Sequence, residues 1–206
     1  MKSLSSVIRW TPRVYDRLAR FYDIFARCFL PYGEKGRLRV VEGLSSGSIV
    51  DVGCGTGTLL AMASANGLEC YGIDTSQGML DQARSRVPNA EFKQASFYNI
   101  PYPDACFDYV VETNALSGVE IDVKQALSEM LRVCKVGGEI RIADGTEPPR
   151  RTWRHNLLER LWILTGDLPK DYVRIFGELG CKVAKVEVLG GSDMYQFFQI
   201  EKEQER

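Results

Sequence analysis

The sequence predicts an α/β protein: a doubly wound, mostly parallel sheet of seven strands that finishes in an antiparallel hairpin. Three observations carry this. From residue 48 onward, short apolar runs alternate with segments of helical periodicity, which is the pattern of βαβ units. The first run opens into the glycine-rich bend Gly53-Cys54-Gly55-Thr56-Gly57, suited to the passage from a strand into a helix. After residue 180, two alternating runs are joined by Gly190-Gly191-Ser192-Asp193, a hairpin signal.

Val14, Leu18, Phe21, Phe25 and Cys28 recur at three- and four-residue spacing and predict one helix over 13–30, stopped by Pro31 and Gly33. A second helical stretch covers about 34–43, and Ser45-Ser46-Gly47 releases the chain into a first strand at 48–52. Gly57 to Asn66 reads as a helix with Gly67 as its stop, then a strand at 69–74; Ser76 caps a helix that ends before Pro88. Strands follow at 91–95 and 106–112. Val123, Ala126, Leu127, Met130, Leu131 and Cys134 form the apolar stripe of a helix over 122–134, with Gly137-Gly138 turning into a strand at 139–143. A helix at 171–179 stops at Gly180, and 182–189 with 194–201 form the hairpin. The expectation is one domain over 1–206, with 1–44 a helical cap and 45–206 the α/β core.

With 206 residues, 45% of them hydrophobic, the chain can bury one substantial core. Its 26 basic and 27 acidic residues leave a net charge of -1, so no global field draws it to nucleic acid. Six cysteines, at 28, 54, 70, 106, 134 and 181, include no C-x-x-C pair and have no histidine to complete a metal site, so they read as reduced thiols in a cytoplasmic protein. Pro12 and nearby charges interrupt any leader-like apolar run, and no stretch approaches 18 apolar residues.

The segment Ile49-Val50-Asp51-Val52-Gly53-Cys54-Gly55-Thr56-Gly57-Thr58 has G-x-G-x-G spacing. A dinucleotide fingerprint needs glycine where Thr58 stands. Asp51 brings a carboxylate beside the loop, which repels a pyrophosphate and suits an ammonium group. Gly72-Ile73-Asp74 ends the second strand with an acid that can accept both hydroxyls of a ribose. A nucleoside with a zwitterionic amino-acid arm meets all of these demands, and S-adenosyl-L-methionine (SAM) is such a ligand.

Four blocks in order, V-D-V-G-C-G-T-G, Y-G-I-D-T-S-Q-G-M-L, F-D-Y-V-V and L-R-V-C-K-V-G-G-E-I, make the chain resemble a class I SAM-dependent methyltransferase. The R-F-Y-D near residue 20 is similar to the ubiquinone/menaquinone C-methyltransferases and their phospholipid N-methyltransferase relatives. The resemblance implies a Rossmann-like methyltransferase fold. It also implies that Asp51, Gly53, Gly55 and Gly57 line the methionine part of SAM, that Asp74 holds the ribose, that Ser76 and Met79 flank the adenine, and that Thr75, Phe97 and Asn114 complete the cofactor-binding set. Relatives carry Gly-Asp where this chain has Ala95-Ser96 followed by Phe97, which makes Ser96 a substitute contact. Proline often stands in relatives where this chain has Val136.

In such a fold the acceptor approaches over the carboxyl ends of the fourth and fifth strands, so Glu112, Thr113, Asn114 and Asp144 are the positions of interest. His155, the sole histidine, is a candidate base on a lid helix. The cap brings Tyr15, Tyr22 or Trp10 toward a cationic ligand. Residues 1–30 hold six basic and two acidic side chains, and Arg150, Arg151, Arg154 and Arg160 cluster with Trp153 and Trp162. Such segments can meet an anionic membrane surface, or be ordinary solvated helices. The acceptor expected is a small molecule or lipid, such as a quinone precursor or phospholipid. Competing readings are a non-catalytic SAM-binding regulator, a nicotinamide-dependent oxidoreductase and an arsenite methyltransferase.

Overall fold

The computed structural model describes residues 11–29, 32–148, 150–190 and 193–203. Five parallel strands are β1 (Ser48–Val52), β2 (Glu69–Asp74), β3 (Glu91–Gln94), β4 (Phe107–Thr113) and β5 (Cys134–Gly145). The hairpin strands are β6 (Val183–Val188) and β7 (Tyr195–Glu201), and the sheet order is β3-β2-β1-β4-β5-β7-β6. β7 runs antiparallel to both of its neighbours. This is the expected doubly wound sheet with a terminal hairpin.

The central strands β1, β4 and β5 are apolar on both faces because helices cover both. On one side Val50, Val52, Val110 and Ile142 pack with α6 (Val123–Val133) and α8 (Tyr172–Glu178). On the other, Ile49, Val111, Ala143 and Phe197 pack with α3 (Gly33–Val41), α4 (Thr58–Ala65) and α5 (Gln77–Arg86). Continuous burial is what parallel strands between two helical layers require. Side chains set the helix starts: Ser76 Oγ accepts Met79 N–H at 3.1 Å, Asp122 accepts Gln125 N–H at 3.1 Å and Asp171 accepts Arg174 N–H at 3.0 Å.

Two expectations need correction. The single helix over 13–30 is two, α1 (Pro12–Leu18) and α2 (Tyr22–Phe29), separated by a turn at 19–21. Of the residues that carry the spacing, Val14 and Leu18 are half-buried and Phe21 is 65% exposed. The break lets Asp16 and Asp23 each reach the core. The fifth strand begins at Cys134, five residues earlier than Gly137-Gly138 suggests, with a register irregularity opposite Phe107–Tyr109. α7 (Trp153–Thr165) lies between β5 and α8 in the chain. Among the described residues, no helix is long and apolar enough to cross a membrane.

Candidate active site

Strand order reverses between β1 and β4, and adjacent strands diverge in their connections there, leaving a crevice at their carboxyl ends. A cavity of about 740 Å³ opens at this point, within the usual size for a small-molecule site. The glycine loop makes its floor. Gly53 sits at φ 81°, and a Cβ there would lie 2.5 Å from that of Ala115, so only glycine lets the loop pass the exit of β4. Gly57, at the N-terminus of α4, would set a Cβ 3.0 Å from that of Ala83 in α5. Its role is helix packing, and it does not line the cavity, whereas Gly53 and Gly55 do.

Two of the carboxylates on this cavity, Asp51 and Asp74, come from the ends of β1 and β2. Asp74 accepts Gly55 N–H at 2.9 Å and Ser76 N–H at 2.8 Å; burial raises its pKa and these backbone donors oppose the rise. Asp51 is 2% exposed, and its Oδ1 has no hydrogen-bond partner among the described residues. Burial, reinforced by the Asp74 charge, pushes Asp51 up to about 7, with Arg37 pulling the other way. An orphaned buried acceptor beside the glycine loop calls for a cationic donor, and Asp74 remains at the cavity for hydroxyls. The donor set therefore fits SAM.

α1 and α2 form a wall held by their acids. Asp16 Oδ1 accepts Ser76 Oγ–H at 2.6 Å and Gly78 N–H at 2.9 Å, tying α1 to the start of α5. Asp23 accepts Thr56 Oγ–H at 2.6 Å and pairs with Arg86, which also donates to Thr56 O at 2.6 Å. Tyr15 and Tyr22 line the cavity with their rings edge to face at 5.9 Å. Burial pushes the Tyr22 phenol up to about 12, so it stays protonated at neutral pH.

The cavity brings together most of the sequence-predicted residues: Asp51, Gly53, Gly55, Asp74, Thr75, Met79, Phe97, Thr113, Asn114, Tyr15 and Tyr22 all line it. Others fall elsewhere. Ser76 is wholly buried as the α5 cap, and Ser96 Oγ accepts Tyr98 N–H at 3.2 Å away from the cavity lining, where Ala95 and Phe97 stand. His155 lies in the first turn of α7, its Nδ1 accepting Thr152 N–H at 3.1 Å in a capping box, and it does not line the cavity. Glu112 and Asp144 are 0% and 1% exposed beneath the floor. They serve the bend after β4: Glu112 accepts Ala115 N–H, and Asp144 accepts Leu116 N–H at 3.1 Å and Tyr172 O–H at 2.9 Å. Burial, compounded by their mutual repulsion, raises the Glu112 pKa well above the carboxylate range. Asn114 stands at φ 58° at the end of β4, its N–H donating to Ala143 O at 3.2 Å, the carbonyl that also accepts the Tyr195 phenol at 3.0 Å. Trp10 lies outside the described residues.

Sequence reasoning missed Arg37, Glu34, Asp23 and Arg86, all on the cavity. The charges of Gly33–Val41 look like a solvated helix face, and nothing local marks Arg37 as inward. The thiols Cys54, Cys70 and Cys134 are free and buried. No cluster of three or more His, Cys, Asp or Glu side chains that could hold a metal occurs among the described residues, which leaves an arsenite reading without a grouped thiol site.

Residues 50–142 match the family model described as a methyltransferase domain. The chain is 32% identical over 173 residues to the demethylmenaquinone methyltransferase of Chlorobaculum parvum, covering 79% of this chain and 67% of that protein. The chain belongs to the class I SAM-dependent methyltransferases. Its family membership sets aside the nicotinamide-dependent oxidoreductase. The demethylmenaquinone methyltransferase of Paenarthrobacter aurescens is 31% identical over 153 residues, 72% of this chain. The chain spans 60% of that relative's length and 46% of the one from Clavibacter sepedonicus. Among solved structures, a chain of the complex between the Haloferax volcanii Trm112 methyltransferase activator and a methyltransferase has a TM-score of 0.75 at 18% identity, covering 92% of this methyltransferase and 98% of that chain. Geranyl diphosphate C-methyltransferase from Streptomyces coelicolor gives 0.68 at 14% identity, covering 82% and 77%. These likenesses show a shared fold.

Proposed function

We propose that this methyltransferase moves the methyl group of SAM to a small, quinone-like or lipid-like acceptor that enters beside Tyr15, Tyr22, Thr113 and Asn114. The observation that carries the reading is the orphaned, buried Oδ1 of Asp51 on the same cavity as Asp74 and the glycine loop. In it Asp51 takes the ammonium of the amino-acid arm, Gly53 and Gly55 let the arm lie on the backbone, Asp74 takes the ribose hydroxyls, and Thr75, Met79 and Phe97 enclose the adenine. When bound, SAM supplies a sulfonium-activated methyl group with a good leaving group, so the protein's task is alignment, worth roughly 7 to 11 kcal/mol when complete. Tyr15 and Tyr22 turn aromatic faces to the cationic centre, and the protonated Tyr22 phenol can donate a hydrogen bond to an acceptor oxygen. Asn114, held by its left-handed backbone and its N–H bond to Ala143 O, orients the acceptor. His155 is spent on its capping box and has no part in this scheme. The chain is read as one domain, with residues 1–44 capping the 45–206 core.

The quinone-like acceptor draws on the named activity of the demethylmenaquinone methyltransferase relatives. Purified protein incubated with radiolabelled SAM and demethylated naphthoquinones of graded tail length should yield labelled quinone. SAM uptake without turnover on any acceptor would favour the SAM-binding regulator, and no uptake would overturn the assignment. A peripheral membrane contact is suggested by Trp153, 72% exposed with the Arg154 guanidinium 5.5 Å from its ring centroid, and by Leu157, 53% exposed. The patch is smaller than the sequence implies, because Arg151 pairs with Glu159 at 2.8 Å and Trp162 packs on Gly145. Flotation with anionic and neutral liposomes tests it: salt-sensitive binding to the anionic set alone is expected, and equal partitioning would count against it.

A further inference from the structure

β6 is one edge of the sheet: β7 pairs with it on one side, and among the described residues no strand lies on the other. An edge leaves alternate backbone groups unpaired, and the pairing with β7 shows which they are. Leu189 N–H donates to Tyr195 O at 2.9 Å, and the register runs evenly from there back to Lys185 opposite Gln199. Leu189, Glu187 and Lys185 therefore turn their backbone groups to β7, whereas Val186 and Val188 turn theirs outward. The side chains alternate as well. Val186 lies opposite Phe198 and Val188 opposite Gln196, and the two valines are 48% and 45% exposed. Lys185 and Glu187 share the other face, their charged groups 3.5 Å apart.

The run Lys185-Val186-Glu187 is complementary to itself. When a second copy lies antiparallel along this edge with Val186 opposite Val186, Lys185 of each chain faces Glu187 of the other. The same register suits the backbone: Val186 is an outward-bonding position, so it forms a hydrogen-bonded pair, and both Lys–Glu contacts fall in the closer, non-hydrogen-bonded pairs. Centring the pairing on Lys185 or on Glu187 sets like charges together and opposes backbone groups already bonded to β7. We propose that β6 is the contact of a homodimer, in which two copies of this chain join their sheets into one across a two-fold axis at Val186. The register shift between Val183 and Lys185 ends the regular edge there, and Glu187 also holds Arg39 at 2.8 Å. The contact is thus short and polar, and dimerisation is reversible with protein concentration. It is independent of the cofactor reading, since no β6 residue lines the cavity.

Analytical ultracentrifugation of the full chain, from low micromolar to submillimolar concentration, tests this. The wild type should pass from monomer to dimer over that range. Lys185→Glu sets acid against acid and Glu187→Lys base against base, so each alone should weaken dimerisation by on the order of tenfold or more. Mixing these two variants restores both opposite-charge contacts, and the mixture should associate as the wild type does. Val186→Pro removes an outward N–H and leaves the ladder to β7 intact, so it should stay folded by circular dichroism and monomeric. A wild type that is monomeric throughout overturns the proposal. So does a dimer that persists unchanged in Lys185→Glu and Val186→Pro, as a contact through another surface would. Single-charge variants that remain monomeric when mixed overturn the register on which it stands.

Discussion

Replacing Asp51 by asparagine keeps the shape of the side chain and removes its charge. The acid binds its proton more tightly in the folded chain than in the unfolded one, so the ligand-free protein loses stability as pH climbs from about 4 to about 7. A rise from 3.8 to about 7 corresponds to about 4 kcal/mol at full ionisation, of which somewhat under about 3 kcal/mol accrues between about pH 5 and pH 8. Asparagine carries no such dependence. Urea unfolding of both proteins near pH 5 and near pH 8 should therefore show their stability difference moving by about 3 kcal/mol in favour of Asp51→Asn at the higher pH. Titratable groups common to both proteins largely cancel in that difference. Saturating S-adenosylhomocysteine should narrow the gap, since its ammonium would neutralise the wild-type carboxylate, and the variant should bind it more weakly. Parallel stability curves across this pH range, or undiminished affinity in the variant, would refute the reasoning.

Asp74→Ala should weaken SAM binding and also cost about 1 to 3 kcal/mol of stability, because Gly55 N–H and Ser76 N–H lose their shared acceptor; calorimetry and urea melts separate the two effects. His155→Ala should cost about 0.5 to 2 kcal/mol through the α7 cap and leave kcat unchanged, and a hundredfold fall in kcat would reinstate it as a base. Gly78→Ala would drive a Cβ to 2.9 Å from the Asp16 Cα, so limited proteolysis should cut α1 faster while the melting of the sheet stays unchanged.

The glycine bend was legible because its requirements are local: backbone conformation and close approach select glycine whatever surrounds it. Asp51 and Asp74 were legible for the same reason, since each closes or adjoins a strand whose apolar run sets its position. The break between α1 and α2 was not, because Asp16 and Asp23 find partners at Ser76, Gly78, Thr56 and Arg86, dozens of residues away, and no local spacing encodes them. His155 misled for a related reason: a lone histidine after the fifth strand looks available, and only the turn of α7 reveals that its nitrogen is occupied by Thr152. Glu112 and Asp144 occupy the strand ends that were anticipated, yet the bend from Ala115 to Leu116 folds over them and donates a backbone N–H to one oxygen of each. Arg37 stayed hidden because its helix reads as a charged surface until the Tyr195 phenol of β7 is seen pressing on Gly36.

The place of β7 bears on how the molecule is assembled. It is the last strand in chain order, yet it sits inside the sheet between β5 and β6. Until it arrives, the Glu139–Gly145 stretch of β5 keeps one edge unpaired, an open invitation to another chain, and the α3 turn lacks the phenol it rests on. A nascent polypeptide stopped short of Tyr195 would thus possess the whole glycine loop and still be sticky and incomplete, so the last insertion governs both solubility and the seating of Arg37.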